Sequence, residues 1–92
     1  MNKLQAHEQW QTTTSPTFVA RFSDGVVTRM TCHCTPGNLD LRRGIVLARL
    51  AYRSRTKGKE PPPVTEARFQ ELDGKILREY DEKAIAGEEG TV

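Results

Sequence analysis

Ninety-two residues are enough for one domain and too few for two, so one small core is expected, with about two thirds of the unfolded surface buried. A hydrophobic fraction of 36 %, a charged fraction of 28 % and a mean hydropathy of −0.63 exclude a fibrous or wholly disordered chain. No apolar run reaches ten residues, which argues against a membrane-spanning helix or secretory leader and for a cytoplasmic protein whose two cysteines stay reduced.

The net charge of +2 hides an asymmetry. Residues 1–40 carry three basic and three acidic side chains, residues 41–59 seven basic and none acidic, and residues 60–92 four basic and nine acidic. A neutral head, a basic middle and an acidic tail argue for an anionic partner at the middle, unless the charged halves neutralise each other across the fold.

Residues 1–16 are polar, with Leu4 and Trp10 as large apolar anchors, and whether Gln9–Thr13 adds a short strand stays open. Thr17–Cys34 reads as a β-hairpin: two β-rich runs flank Ser23-Asp24-Gly25. A two-residue Asp24-Gly25 loop would pair Phe22 with Val27 and Ala20 with Arg29, mixing apolar and charged side chains on one face. A three-residue loop with Gly25 left-handed pairs Phe22 with Val26, Ala20 with Thr28 and Phe18 with Met30, gathering Phe18, Ala20, Phe22, Val26, Met30, Cys32 and Cys34 on one face. Thr17, Val19, Arg21, Val27, Arg29, Thr31 and His33 take the other. The Cys32-His33-Cys34 triplet is thereby split, because alternate strand residues point to opposite faces and cannot converge on one metal ion. The cysteines are expected to be small core hydrophobes.

Thr35-Pro36-Gly37-Asn38 reads as a turn, with Asn38 as N-cap of a helix over 39–55. Leu41, Ile45, Ala48, Ala51 and Tyr52 form its core arc, with Leu47 at the margin. Arg42, Arg49 and Arg53 fall on the other side with Arg43 beside them, a basic stripe about 16 Å long, interleaved with Val46 and Leu50. Ser54–Lys59 continues it as a basic loop, and Pro61-Pro62-Pro63 stiffens the connection. Beyond it, Phe69, Leu72, Ile76, Leu77 and Tyr80 recur at helical spacing, which predicts an acidic amphipathic helix over 65–86, capped by Thr65 and stapled by Val64 and Phe69. Gly74 weakens that helix, and residues 87–92 read as a frayed tail.

The expected fold class is thus α+β: a small single domain in which an antiparallel hairpin, with a third short strand left open, packs against two α-helices. No nucleophile–base pair and no phosphate-cradling glycine loop occurs at useful spacing, so a non-enzymatic protein without cofactor or metal is expected. The candidate binding residues are Arg42, Arg43, Arg49, Arg53, Arg55, Lys57 and Lys59, extended by Arg21, Arg29 and His33 if the open sheet face lies beside them. Guanidinium forks match phosphate, and lysines in a mobile loop follow a backbone without fixed geometry. No recognition motif for base sequence accompanies them.

In size and in this order of hairpin, arginine-striped helix and acidic terminal helix, the chain resembles the small single-domain anti-CRISPR proteins of phages and mobile elements. That resemblance implies non-catalytic blockade of a host ribonucleoprotein in the host cytoplasm, through contacts to RNA or DNA or to the protein surface that would receive it. The residues by themselves also leave open a protein-interaction or homodimerisation module using Val46, Leu50 and the open hairpin face, and a metal-dependent nuclease built from scattered carboxylates.

Overall fold

The computed structural model describes residues 16–34 and 37–89. In chain order they form β1 (Thr17–Phe22), β2 (Val27–Thr31), α1 (Leu41–Arg55), β3 (Val64–Gln70), β4 (Ile76–Tyr80) and α2 (Glu82–Glu89). The strands make one antiparallel sheet in the order β2-β1-β3-β4. The protein is therefore α+β, a four-stranded sheet and two helices in one domain.

The first hairpin has the expected register: Phe18 lies opposite Met30 and Ala20 opposite Thr28. Phe22 N–H donates to Val26 O at 2.8 Å across a three-residue loop in which Gly25 takes φ +92°, a left-handed value that glycine adopts without strain. Gln9–Thr13, Thr35 and Pro36 lie outside the described residues.

The core forms where this sheet meets the helices. Phe18, Ala20 and Phe22 of β1 and Ala67 and Phe69 of β3 bury against Ile45, Ala48 and Tyr52 of α1 and Ile85 of α2. Phe18 and Phe69 pack edge to face at 4.9 Å, and Phe22 lies 4.8 Å from the Tyr52 ring. Gly44 lets α1 come this close, since a Cβ there would lie 2.5–2.8 Å from carbons of the Phe18 ring.

The expected helix over 65–86 is not formed. Val64–Gln70 is instead β3, residues 71–75 are a second hairpin loop, Ile76–Tyr80 is β4, and only Glu82–Glu89 is helical. The physical reason is a second period in the same residues. In Glu66-Ala67-Arg68-Phe69 the apolar residues alternate with charged ones, so that as a strand Ala67 and Phe69 enter the core while Glu66 and Arg68 do not. Gly74 is a turn glycine at φ +95°, not a weak point in a helix. Thr65 is no cap but sits where the β1–β3 register shifts, its hydroxyl donating to Arg21 O at 3.3 Å. Residues 87–89, expected to be frayed, belong to α2, which Asp81 opens by accepting from Ala84 N–H at 2.8 Å.

Helix α1 starts two residues later than expected. Asp40, not Asn38, is the N-cap and accepts from Arg43 N–H at 3.2 Å. Its end is a Schellman turn: Lys57 is left-handed at φ 58°, and Gly58 N–H returns to Arg53 O at 2.8 Å.

Candidate nucleic-acid interface

Among the described residues, helices cover one face of the sheet. On the other, register places side chains in rows across the strands: Arg29, Val19, Arg68 and Glu79 in one row, Val27, Arg21 and Glu66 in the next. Neighbouring strands lie about 4.8 Å apart, so Arg29 and Arg68 flank Val19 from both sides. Val19 is only 4 % exposed although no helix covers it. The register sets an arginine on either side of it.

Around the outer edge of β2 this face meets α1. Val19, Arg21, Val27, Arg29, Glu66 and Arg68 of the open face line a concavity of about 780 Å³ together with Thr28, Met30, Leu50, Ala51, Ser54 and Arg55. Four arginines thus share one hollow with one carboxylate. Arg21 Nε lies 3.1 Å from Glu66 Oε2, a pair exposed on both sides and weakly stabilising in water. Arg68 Nε donates to Gln70 Oε1 at 2.9 Å, and Arg55 Nη1 donates to the main-chain carbonyl of Val27. None of these contacts buries a guanidinium group completely, because Arg21, Arg29 and Arg55 are exposed and Arg68 is half-buried. The assembly can meet an anion with several charge-assisted hydrogen bonds at once.

The expected single footprint is divided in two. Arg49 and Arg53 lie 3.5 and 3.6 Å from Glu60 Oε1 at the head of the proline segment, so part of the helical stripe is already tied to the chain's own acid. These arginines and Arg42 face roughly 100° or more around α1 from Ala51 and Ser54, and about 60–100° from Leu50, the three residues of α1 beside Arg55 that border the concavity. Arg42 and Arg43 stand exposed at the first turn of α1, and Lys57 and Lys59 are exposed in the loop after it. His33 is exposed beyond the end of β2. Of the expected residues, Arg21, Arg29 and Arg55 come together. Arg68 joins them unforeseen, because a helix over 65–86 hid it; the period-2 alternation of residues 66–69 is the signal that reveals it.

The Cys-His-Cys triplet lies just beyond the end of β2. β2 ends at Thr31, and Cys34 N–H bends back to Cys32 O at 2.7 Å. Cys32 is fully buried, Cys34 half-buried, and both thiols are free. Burial, reinforced by the neighbouring Cys34, pushes the Cys32 thiol up to about 12, far from the range of a reactive thiolate. Among the described residues no group of three or more His, Cys, Asp or Glu side chains could hold a metal ion, and no helix is long and apolar enough to cross a membrane.

One further cluster fixes the frame of the site. Tyr52 Oη donates to Asp24 Oδ2 at 2.5 Å, Asp24 Oδ1 accepts from Val26 N–H at 3.1 Å, and Ser23 N–H donates to Pro63 O at 2.9 Å. The tyrosine bond, helped by the Val26 amide, holds the Asp24 carboxyl below the usual carboxylate range; the same bond, with burial, raises the Tyr52 phenol. The tip of the first hairpin is thus clasped to α1 beside the arginine-lined hollow. Neither a protein-family model, nor a curated protein, nor a solved structure matches the chain.

Proposed function

We propose that the protein is a non-enzymatic, cytoplasmic binding protein that grips the phosphates of a nucleic acid in a host nucleoprotein complex and so blocks it, in the manner of the anti-CRISPR group it resembles. The observation that carries this reading is the convergence of Arg21, Arg29, Arg55 and Arg68 on one hollow whose described lining includes one carboxylate, Glu66, with Glu79 opposite Arg68 on the next strand. Phosphate contacts of this kind supply affinity and position without reading sequence. The arginines of the helical stripe contribute less, since Glu60 already competes for Arg49 and Arg53.

Titration of labelled single- and double-stranded RNA and DNA by fluorescence anisotropy tests the reading. Four phosphate contacts predict that log K falls against log salt with a slope of about −3. Replacing Arg29 and Arg68 together by Glu is expected to abolish binding while leaving the circular dichroism spectrum unchanged. The Arg49→Glu, Arg53→Glu pair is expected to weaken it less. Binding indifferent to salt, or untouched by the first pair, would overturn the proposal.

A further inference from the structure

The hollow is more than a charged surface. Pairing in the first hairpin alternates: Phe22 N–H bonds Val26 O and Cys32 N–H bonds Pro16 O, so Val26, Thr28, Met30 and Cys32 turn their main-chain groups toward the β1 side. Val27, Arg29 and Thr31 turn theirs outward from the edge of the sheet. Arg55 covers the Val27 carbonyl. Among the described residues no strand pairs with this edge, so the N–H and C=O of Arg29, a residue that lines the concavity, stand side by side as one donor and one acceptor.

A second, independent group points the same way. Thr28 is 2 % exposed and lines the hollow, and its Oγ1 has no hydrogen-bond partner among the described residues. A buried hydroxyl without a partner is a destabilising feature that needs a reason. Beside it, Met30, Leu50 and Ala51 form an apolar wall, with Leu50 53 % exposed. A hollow of about 780 Å³ falls within the roughly 300–1,000 Å³ range of pockets that hold small ligands and cofactors. Apolar walls, a few fixed donors and acceptors, and guanidinium planes around them suit a planar heterocycle carrying a phosphate.

We propose that this concavity is a nucleotide pocket that takes one unstacked nucleotide of a single strand. The base lodges against Leu50 and Val27, where the Arg29 main chain and the Thr28 hydroxyl meet its edge, and Arg21, Arg29 and Arg68 hold the adjoining phosphates. The inference rests on the phosphate-binding reading above and narrows its ligand to single strands, because a duplex keeps its base edges paired. The same outward edge also suits a peptide adding a fifth strand. Two features weigh against that: Arg55 blocks the ladder at Val27, and antiparallel self-pairing of β2 about its central residue would set Arg29 against its own copy.

Anisotropy with four probes of equal length, an intact single strand, its duplex, an abasic single strand and an acidic peptide, tests the pocket. The intact strand is expected to bind at least about tenfold tighter than the abasic strand or the duplex. Thr28→Val, which keeps the shape and removes the hydroxyl, is expected to weaken intact-strand binding about fivefold, a loss expected of one hydrogen bond. It should leave abasic binding and the salt slope unchanged. Leu50→Ala, at an exposed site that folding does not need, should do the same. Equal binding of intact and abasic strands or of duplex would overturn the pocket and leave the phosphate reading standing. No binding of any nucleic acid would overturn both, and so would capture of the acidic peptide alone.

Discussion

The β1–β2 hairpin turns through Ser23-Asp24-Gly25 and the β3–β4 hairpin through Leu72-Asp73-Gly74, and the two loops share one bonding scheme. Gly25 N–H returns to Phe22 O at 2.9 Å and Gly74 N–H to Glu71 O at 2.9 Å. Asp24 Oδ1 accepts from Val26 N–H at 3.1 Å, Asp73 Oδ1 from Lys75 N–H at 2.9 Å. Both glycines are left-handed, at +92° and +95°. What differs is the surroundings. The first tip is clasped by Tyr52 and Pro63, and its strands bury Phe18, Ala20 and Phe22. The bonds of the second tip stay within its loop, and Leu72 and Ile76 beside it are 81 % and 49 % exposed. Turn chemistry is therefore local and repeatable, whereas the stability of the strands it joins depends on what they lie against.

Four substitutions sharpen that comparison. The largest effect belongs to Gly44→Ala, which drives a methyl group into the Phe18 ring and is expected to cost about 1–3 kcal/mol. Urea unfolding should register it, and a neutral outcome would mean that the first hairpin does not depend on close contact with α1. Gly25→Ala and Gly74→Ala come next. Nothing lies within 4 Å of either added Cβ, so each should cost only the left-handed backbone penalty, about 1–2 kcal/mol. Unequal losses would show that the clasp reaches into the loop itself.

Tyr52→Phe has the smallest effect at neutral pH and a diagnostic one in acid. The folded state lowers the Asp24 carboxyl below its ordinary value of 3.8, so its contribution is fully present above that value and is lost as pH falls through the lowered one. The Tyr52 phenol is raised above 10, so its contribution is present below that pH and lost as pH climbs through the raised value. Thermal melts of Tyr52→Phe across pH 2–11 should show a lower midpoint at pH 7 and a shallower decline at both ends; an unchanged profile would exclude the clasp as a source of stability.

The turn and register of the first hairpin were legible because Thr17–Phe22 and Val26–Cys34 are β-rich and only one loop length sorts them into two faces, although the second strand stops at Thr31 and not at Cys34. The second carried the same Asp-Gly signal at Asp73-Gly74. It was masked because Glu, Ala, Arg, Gln, Leu and Lys around it favour helices, and Phe69, Leu72, Ile76 and Tyr80 happen to recur at helical intervals. Strand propensity is largely the environment a strand packs into. With β1 available as a central neighbour, Ala67 and Phe69 bury more on an alternating pattern than a helix there would allow.

The sequence by itself determined the first turn and its register, the body of a helix ending at Arg55 with its core arc, the burial of Cys32, and the existence of a basic surface. Each follows from backbone geometry over a few neighbouring residues. Only the tertiary structure decided that Val64–Tyr80 is sheet, that Glu60 ties up Arg49 and Arg53, and that Arg68 stands in a row with Val19 and Arg29. These outcomes depend on which strands lie side by side, and pairing between segments some fifty residues apart is settled by the burial available to the whole fold.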